Sequence, residues 1–299
     1  MVQKPTIGYI GLGLMGKPMA KNILKADYPL IVHNRSQLAV QELVTLGAIE
    51  AFTPKEVAEN SEIIFTNLPD SPDVETVVFG SNGLIEGILP GSIYIDNSTI
   101  KPSTARHIAQ VMAEKGVDCL DAPVSGGDVG AINGTLTIMV GGSKQAFEHA
   151  LPVLKTIGKS ITHIGDAGTG QITKCANQIM VAAQMVAMGE LLIFAKKAGA
   201  NPEKVAQAIR GGAAQCWTLD VKTPRLFSGN REPGFKAYMQ AKDLGIVMDT
   251  ARQYGTPLIG TAANTQLFQA MLEMDLADLD NSAVIGVIEK LANITLLDD

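Results

Sequence analysis

Through the first half of the chain, short apolar runs alternate with amphipathic segments; after about residue 165 the pattern is helical throughout. Apolar runs at 6–10, 29–33, 61–66 (SEIIFT), 92–95 (SIYI), 117–120 (VDCL) and 135–140 (TLTIMV) predict strands, with 160–164 a further candidate. Helical periodicity fills most of the intervals between them. Such alternation predicts an α/β fold with a largely parallel, doubly wound sheet. The second half carries no strand pattern of comparable strength. Asn201-Pro202 marks a helix start, a loop is expected around 224–233, and 236–254, 261–274 and 282–293 read as helices. This half is expected to be all-helical.

Between the halves lies 165–200, a glycine-rich turn (Gly165, Gly168, Gly170) followed by one helical pattern from about Gln171 to Lys197. At ~1.5 Å per residue it spans roughly 40 Å. Apolar residues, Met180 and Phe194 among them, cover nearly its whole circumference, which predicts burial all round. Its longest uncharged run, 175–189, falls short of the ~20 residues of a membrane span, so no membrane association is expected. Lys174 sits inside that apolar surface, with Asn177 and Gln178 three and four residues on, on the same face. Desolvation there would lower the lysine's pKa. The alternative is a lysine that only snorkels to solvent near a helix end.

The first strand runs directly into Gly11-Leu12-Gly13-Leu14-Met15-Gly16 and then a helical pattern, the strand, GxGxxG, helix order of a dinucleotide-binding turn. Gly11 would allow the tight turn, Gly13 the approach of a pyrophosphate and Gly16 close helix packing, with phosphates at the helix's positive end. The second strand ends at Asn34-Arg35-Ser36, where an NAD-selecting sequence would usually carry an acidic residue. An arginine and small polar groups suit a 2′-phosphate, so NADP is expected, with NAD as the alternative cofactor. Read blandly, Arg35 is a solvated loop cation. Three more segments follow successive strands: Asn67-Leu68-Pro69-Asp70-Ser71, Asp96-Asn97-Ser98-Thr99, and Asp121 through Ser125-Gly126-Gly127. Ligands of doubly wound sheets bind beyond the carboxyl ends of strands, where these segments fall. Ser-Gly-Gly offers a hydroxyl and approachable backbone N–H groups for a small anion, though as a bare tripeptide it is more often a loop.

Composition narrows the classes. At 299 residues and 46% hydrophobic content the chain has material for about two domains. A net charge of −6 and few aromatics disfavour nucleic-acid binding. Cys119, Cys175 and Cys216 have no CxxC or Cys/His spacing, so neither a disulfide frame nor a zinc site is expected. The start MVQKPTIGYIGLG has no signal-peptide core, and cytoplasmic residence is the default expectation. The apolar surplus of the second half suggests a homodimer or homotetramer.

Taken in order, GYIGLGLMG (8–16), DAPVSGG (121–127), GTGQITKCANQ (168–178) and KDL (242–244) resemble the motifs of the β-hydroxyacid dehydrogenase family over essentially the whole chain. The resemblance implies a Rossmann NADP-binding domain (1–164), an interdomain turn and long helix (165–200), and an all-helical C-terminal domain (201–299) with which that helix packs. It places the active site in the cleft between the domains. It implies Lys174 as the catalytic lysine and Ser125, Gly126 and Gly127 as the substrate-binding loop. Thr99 matches a residue on the nicotinamide side and Lys242 a second lysine near the cofactor; Leu68 and Pro69 join the cofactor set. Lys242 and Asp243 read without the resemblance as an exposed helix pair. Several branches carry asparagine four residues after the lysine; here that position is Gln178, with Asn177 at three. The Asn-Gln pair resembles the tartronate semialdehyde reductase branch and leaves open which amide meets substrate.

The reaction this implies is NADP-dependent reduction of a small 3-oxo acid, foremost tartronate semialdehyde (2-hydroxy-3-oxopropionate) to glycerate. Lys174 would act as general acid, and no metal is needed. The competing readings are oxidation of 3-hydroxyisobutyrate or another short 3-hydroxy acid, reduction of glyoxylate or succinic semialdehyde, and a non-catalytic NADP-binding sensor.

Overall fold

The computed structural model describes residues 4–297. The chain divides into two compact units, Met1–Lys174 and Cys175–Asp299. In the first, strands β1 (Ile7–Ile10), β2 (Leu30–His33), β3 (Ile49–Glu50), β4 (Ile63–Thr66), β5 (Ile93–Asp96), β6 (Asp118–Asp121), β7 (Val124–Ser125), β8 (Leu136–Gly142) and β9 (Gly158–Gly165) form one sheet. Helices α1 (Gly16–Lys25), α2 (Gln37–Thr45), α3 (Pro54–Glu59), α4 (Ser71–Phe79), α5 (Leu84–Gly87), α6 (Pro102–Glu114), α7 (Gly127–Asn133) and α8 (Lys144–Leu154) alternate with the strands. The strand order is β3-β2-β1-β4-β5-β6-β8-β7, with β9 on β8. Pairing is parallel from β3 to β6, with Ile7 opposite Leu30 and Ile63; β8 runs antiparallel to β6 and β7. Chain order therefore reverses between β1 and β4, where doubly wound sheets bind their ligands.

The apolar runs are continuous because both faces of the sheet are buried. Ile7, Tyr9, Ile63, Phe65 and Ile93 point into one core, and Ile10, Ile64 and Tyr94 into the other. Two short strands, β3 and β7, escaped the sequence pattern. Two-residue runs have no period to detect, and β7 falls inside the segment expected to be a loop.

The second unit holds most of α9 (Thr169–Lys197) and then α10 (Pro202–Ile209), α11 (Trp217–Phe227), α12 (Ala237–Gln253), α13 (Ile259–Leu272), a 3-10 turn at Asn281–Val284 and α14 (Ile285–Ala292). Its core is built from Ala182, Met185, Leu192, Leu244, Phe268 and Val284 with their neighbours. Two expectations are corrected here. Helix α11 continues through Pro224, so the loop begins only at Ser228. The proline forfeits one backbone hydrogen bond, and burial of Leu219, Thr223 and Leu226 on the same helix outweighs that loss. Nor is α9 buried all round: Met180 is 58% and Phe194 74% exposed. By length and composition α9 is apolar enough to cross a membrane. Half of its most apolar window is nevertheless buried within the protein, and Gln171, Lys174 and Gln178 are buried polar residues along it.

Candidate active site

The glycine turn after β1 is shaped by contacts that leave no room for side chains. A Cβ on Gly11 would meet the Asn67 carbonyl after β4, and one on Gly16 would meet the Gly11 carbonyl. Over Gly13, by contrast, an added Cβ meets no atom within 4 Å. The loop is thus tight below and open above, the shape a dinucleotide's phosphates require. A cavity of about 450 Å³ borders it, lined in part by Leu12, Gly13, Leu14 and Lys17 with Asp128 and Ile132 of α7. Met15 is half-buried against the core. Asn34 is committed to the protein: its Oδ1 accepts from Leu12 N (2.9 Å) and its Nδ2 donates to Ser36 O (3.0 Å). It ties the end of β2 to the glycine turn. Arg35 and Ser36 are exposed, and among the described residues Arg35 has no hydrogen-bond or ion-pair partner.

The loops after β4, β5 and β6 are laced together. Leu68 N donates to Ser98 Oγ (2.8 Å), Lys101 N to Ser71 Oγ (3.0 Å), and Asn97 Nδ2 to Ala122 O (2.7 Å). Pro69 is exposed and Thr99 half-buried on this rim. At the end of β7, Ser125 leads into Gly126 (φ +131°) and Gly127 (φ +66°), two successive positive-φ conformations that favour glycine. The turn that presents Ser125 therefore depends on both glycines.

The first turn of α9 is fastened to the same rim. Asp121 Oδ1 accepts from Gly168 N (2.7 Å) and Oδ2 from Gln171 N (2.8 Å), so a buried carboxylate caps the helix. Burial pushes its carboxyl up to about 6, against the Gly168, Gln171 and its own backbone N–H groups that pull it down, and nearby Asp96 adds to the rise. The carboxylate fits because Gly141 and Gly170 lack side chains; a Cβ on either would collide with it. Lys174, one turn along, is 6% exposed and donates from Nζ to Val124 O (2.7 Å), one residue before Ser125. Lys174 is therefore buried rather than snorkelling, and stands beside the Ser125-Gly126-Gly127 turn.

In the second unit, Gln178 is buried, donating from Nε2 to Asp243 Oδ2 (2.5 Å) and accepting at Oε1 from Asn177 Nδ2 (2.7 Å). Lys242 Nζ lies 2.9 Å from Asp243 Oδ1. Asp243 is 2% exposed, so Lys242 and Asp243 are not the exposed pair that their spacing allowed.

The expected site residues of the first unit, Gly11 to Gly16, Leu68, Thr99, Ser125 to Gly127 and Lys174, thus lie on strand-end loops and the helix turn fastened to them. Within the second unit, Asn177, Gln178 and Lys242 are linked through Asp243. Asp121, Gln171 and Asp243 went unassigned by sequence reasoning. A carboxylate ending an apolar strand was the visible signal for the first; an amide three residues before the lysine was the signal for the second.

Comparison with known proteins identifies the family of the chain. Residues 6–165 match the model for the NAD binding domain of 6-phosphogluconate dehydrogenase, and 168–288 the model for the NAD-binding domain of NADP-dependent 3-hydroxyisobutyrate dehydrogenase. The chain is 42% identical to 2-hydroxy-3-oxopropionate reductase of Escherichia coli, over 96% of this chain and 98% of that protein. It is 35% identical to mouse mitochondrial 3-hydroxyisobutyrate dehydrogenase, over 97% and 89%. Among solved structures, Mycobacterium tuberculosis 3-hydroxyisobutyrate dehydrogenase with L-serine superposes with a TM-score of 0.88 at 30% identity, covering 95% of this chain and 99% of the other.

Proposed function

Since the chain belongs to the β-hydroxyacid dehydrogenase family and is an NAD(P)-dependent oxidoreductase of hydroxy acids, we propose that it reduces a small 3-oxo acid with NADPH, tartronate semialdehyde being the favoured substrate. The observation that carries this reading is Lys174, buried and hydrogen-bonded at Val124 O beside the Ser125-Gly126-Gly127 turn. Asn177-Gln178 and the 42% identity to the Escherichia coli reductase favour tartronate semialdehyde within the class. L-serine, present with the Mycobacterium tuberculosis relative, combines a carboxylate with a 3-hydroxyl, the chemistry the turn and the lysine would meet.

Lys174 holds a proton at Nζ. A carbonyl oxygen brought within ~3 Å of it gains stabilisation of its developing charge and then the proton; in oxidation the neutral amine takes the proton back. The Ser125 hydroxyl and the Gly126 and Gly127 backbone N–H groups hold the substrate carboxylate, which orients the carbonyl toward the lysine. A nicotinamide dinucleotide bound on the Gly11–Gly16 turn, with Leu68, Pro69 and Thr99 on its rim, supplies the hydride. Exposed Arg35 and Ser36 suit its 2′-phosphate. Asn177, Gln178 and Lys242 enter this reading through their place in the family's motifs. The same reading takes the protein as a cytoplasmic homodimer or homotetramer, an assembly supported by the exposed Phe194, Ile259 and Leu291.

The test is NADPH oxidation with a panel of small semialdehydes and glyoxylate. Tartronate semialdehyde should be turned over fastest, and Lys174→Ala should lower kcat by about 10²–10⁴-fold. No turnover of any member, or wild-type turnover in the variant, sinks the proposal. Fastest use of 3-hydroxyisobutyrate in the oxidative direction would move the assignment to the second reading.

A further inference from the structure

Gln171 is fully buried (0% exposed), and every polar group it carries toward the rim is used. Its backbone N–H donates to Asp121 Oδ2 (2.8 Å), its Oε1 accepts from Ile100 N (3.2 Å), and its Nε2 donates to Ser98 O (2.8 Å). The side-chain amide therefore bonds the main chain on both sides of Thr99. Three residues further along the same helix face is Lys174. A methionine or leucine would fill this volume without the desolvation cost of an amide, whereas the amide satisfies two main-chain groups that would otherwise be buried without partners.

We propose that Gln171 is a positioning residue: its amide straps the Ser98–Ile100 main chain to the first turn of α9 and so holds Thr99 and Lys174 in one frame. The inference rests on the proposed roles of those two residues. Groups that act on one substrate must be held to within about 0.5 Å, and a misplacement of about 1 Å costs on the order of 10²-fold in rate. Asp121 fixes where the helix begins, and Gln171 transmits that position to the loop.

Two variants and two measurements test it. Gln171→Met keeps length and approximate volume while losing both side-chain hydrogen bonds; Gln171→Asn keeps the amide on a stem too short to reach both partners. Without cofactor or substrate, hydrogen exchange at the Ile100 amide should accelerate by about tenfold or more in each variant, with α12 unchanged. In the loaded enzyme kcat should fall about 10- to 100-fold, with KM for the carbonyl acid within about threefold of wild type. Should Gln171→Met fail to fold, the same two readings on Gln171→Asn decide. Unchanged exchange at Ile100, or accelerated exchange with wild-type kcat, overturns the strap. Lys174→Ala measured alongside separates the two claims. A wild type that reduces no substrate, or an active Lys174→Ala, removes the proposed function, and exchange still judges the strap. An inactive Lys174→Ala beside a fully active Gln171→Met removes the strap alone.

Discussion

Each unit buries two carboxylates, and one from each, Asp280 and Asp121, are treated in opposite ways. Asp280, in the helical unit, faces Lys222: Nζ reaches both carboxylate oxygens at 2.8 and 2.7 Å, and Ser282 and the Gly234 N–H add further hydrogen bonds. Burial alone would raise its carboxyl, but the Lys222 charge and these donors outweigh burial and hold it below the usual range. Asp121, in the sheet unit, is as deeply buried, accepts from main-chain N–H groups, and is held up at about 6. One charge is neutralised and ties a loop to its helices. The other has, among the described residues, no cation at bonding distance, and sets the start of the helix that carries Lys174. Asp280 is held by a lysine, whereas Asp121 is held by the main-chain N–H groups at the start of a helix, whose dipole favours its charge.

The same substitution at the two sites should break or keep this contrast. Asp280→Asn strands the Lys222 ammonium in the interior and should cost about 3–5 kcal/mol. Trp217, the chain's one tryptophan, lies 5.7 Å from Lys222 Nζ, so its fluorescence in urea reports that transition directly. A loss under 1 kcal/mol would mean that the ion pair is not the fastening described here.

A pH series is expected to give the next largest effect. Asp121 in the folded chain keeps, between pH 3.8 and about 6, a proton that the unfolded chain has released. Its contribution to stability therefore rises as pH falls through that window, by up to about 3 kcal/mol. Asp280 has the opposite sign: its contribution is present above pH 3.8 and disappears as pH falls through its lower folded value. The stability difference between wild type and Asp121→Asn, read by urea unfolding with far-ultraviolet circular dichroism at pH 7, 6, 5 and 4.5, should move in favour of the wild type as pH falls. A flat difference would show that Asp121 ionises normally. At pH 7 Asp121→Asn gives up one acceptor but also removes a buried charge, so its cost should be about 1–2 kcal/mol, smaller than that of Asp280→Asn. Equal costs would erase the comparison.

The sequence made the sheet unit legible because its strands are continuous apolar runs and its glycine turn has fixed spacing. Lys174 stood out as the one cation inside an apolar stretch of helix. What stayed hidden depended on partners distant in sequence. Asp121 bonds residues 47 and 50 positions away, and Gln178 meets Asp243 65 positions away. No periodicity records such pairings. Pro224 misled for the same reason: a local rule began a loop there, whereas tertiary burial carries α11 through it.

Gly141 and Gly170 leave the space into which the Asp121 carboxylate fits. In a random mutagenesis library selected for folding alone, the steepest intolerance in this region should therefore appear at residues with no side chain, while the fold accepts change at Pro69 and Arg35, exposed on their loops. Any evolutionary route to a new substrate or cofactor preference would start from those exposed loop positions and inherit the glycine cage unaltered.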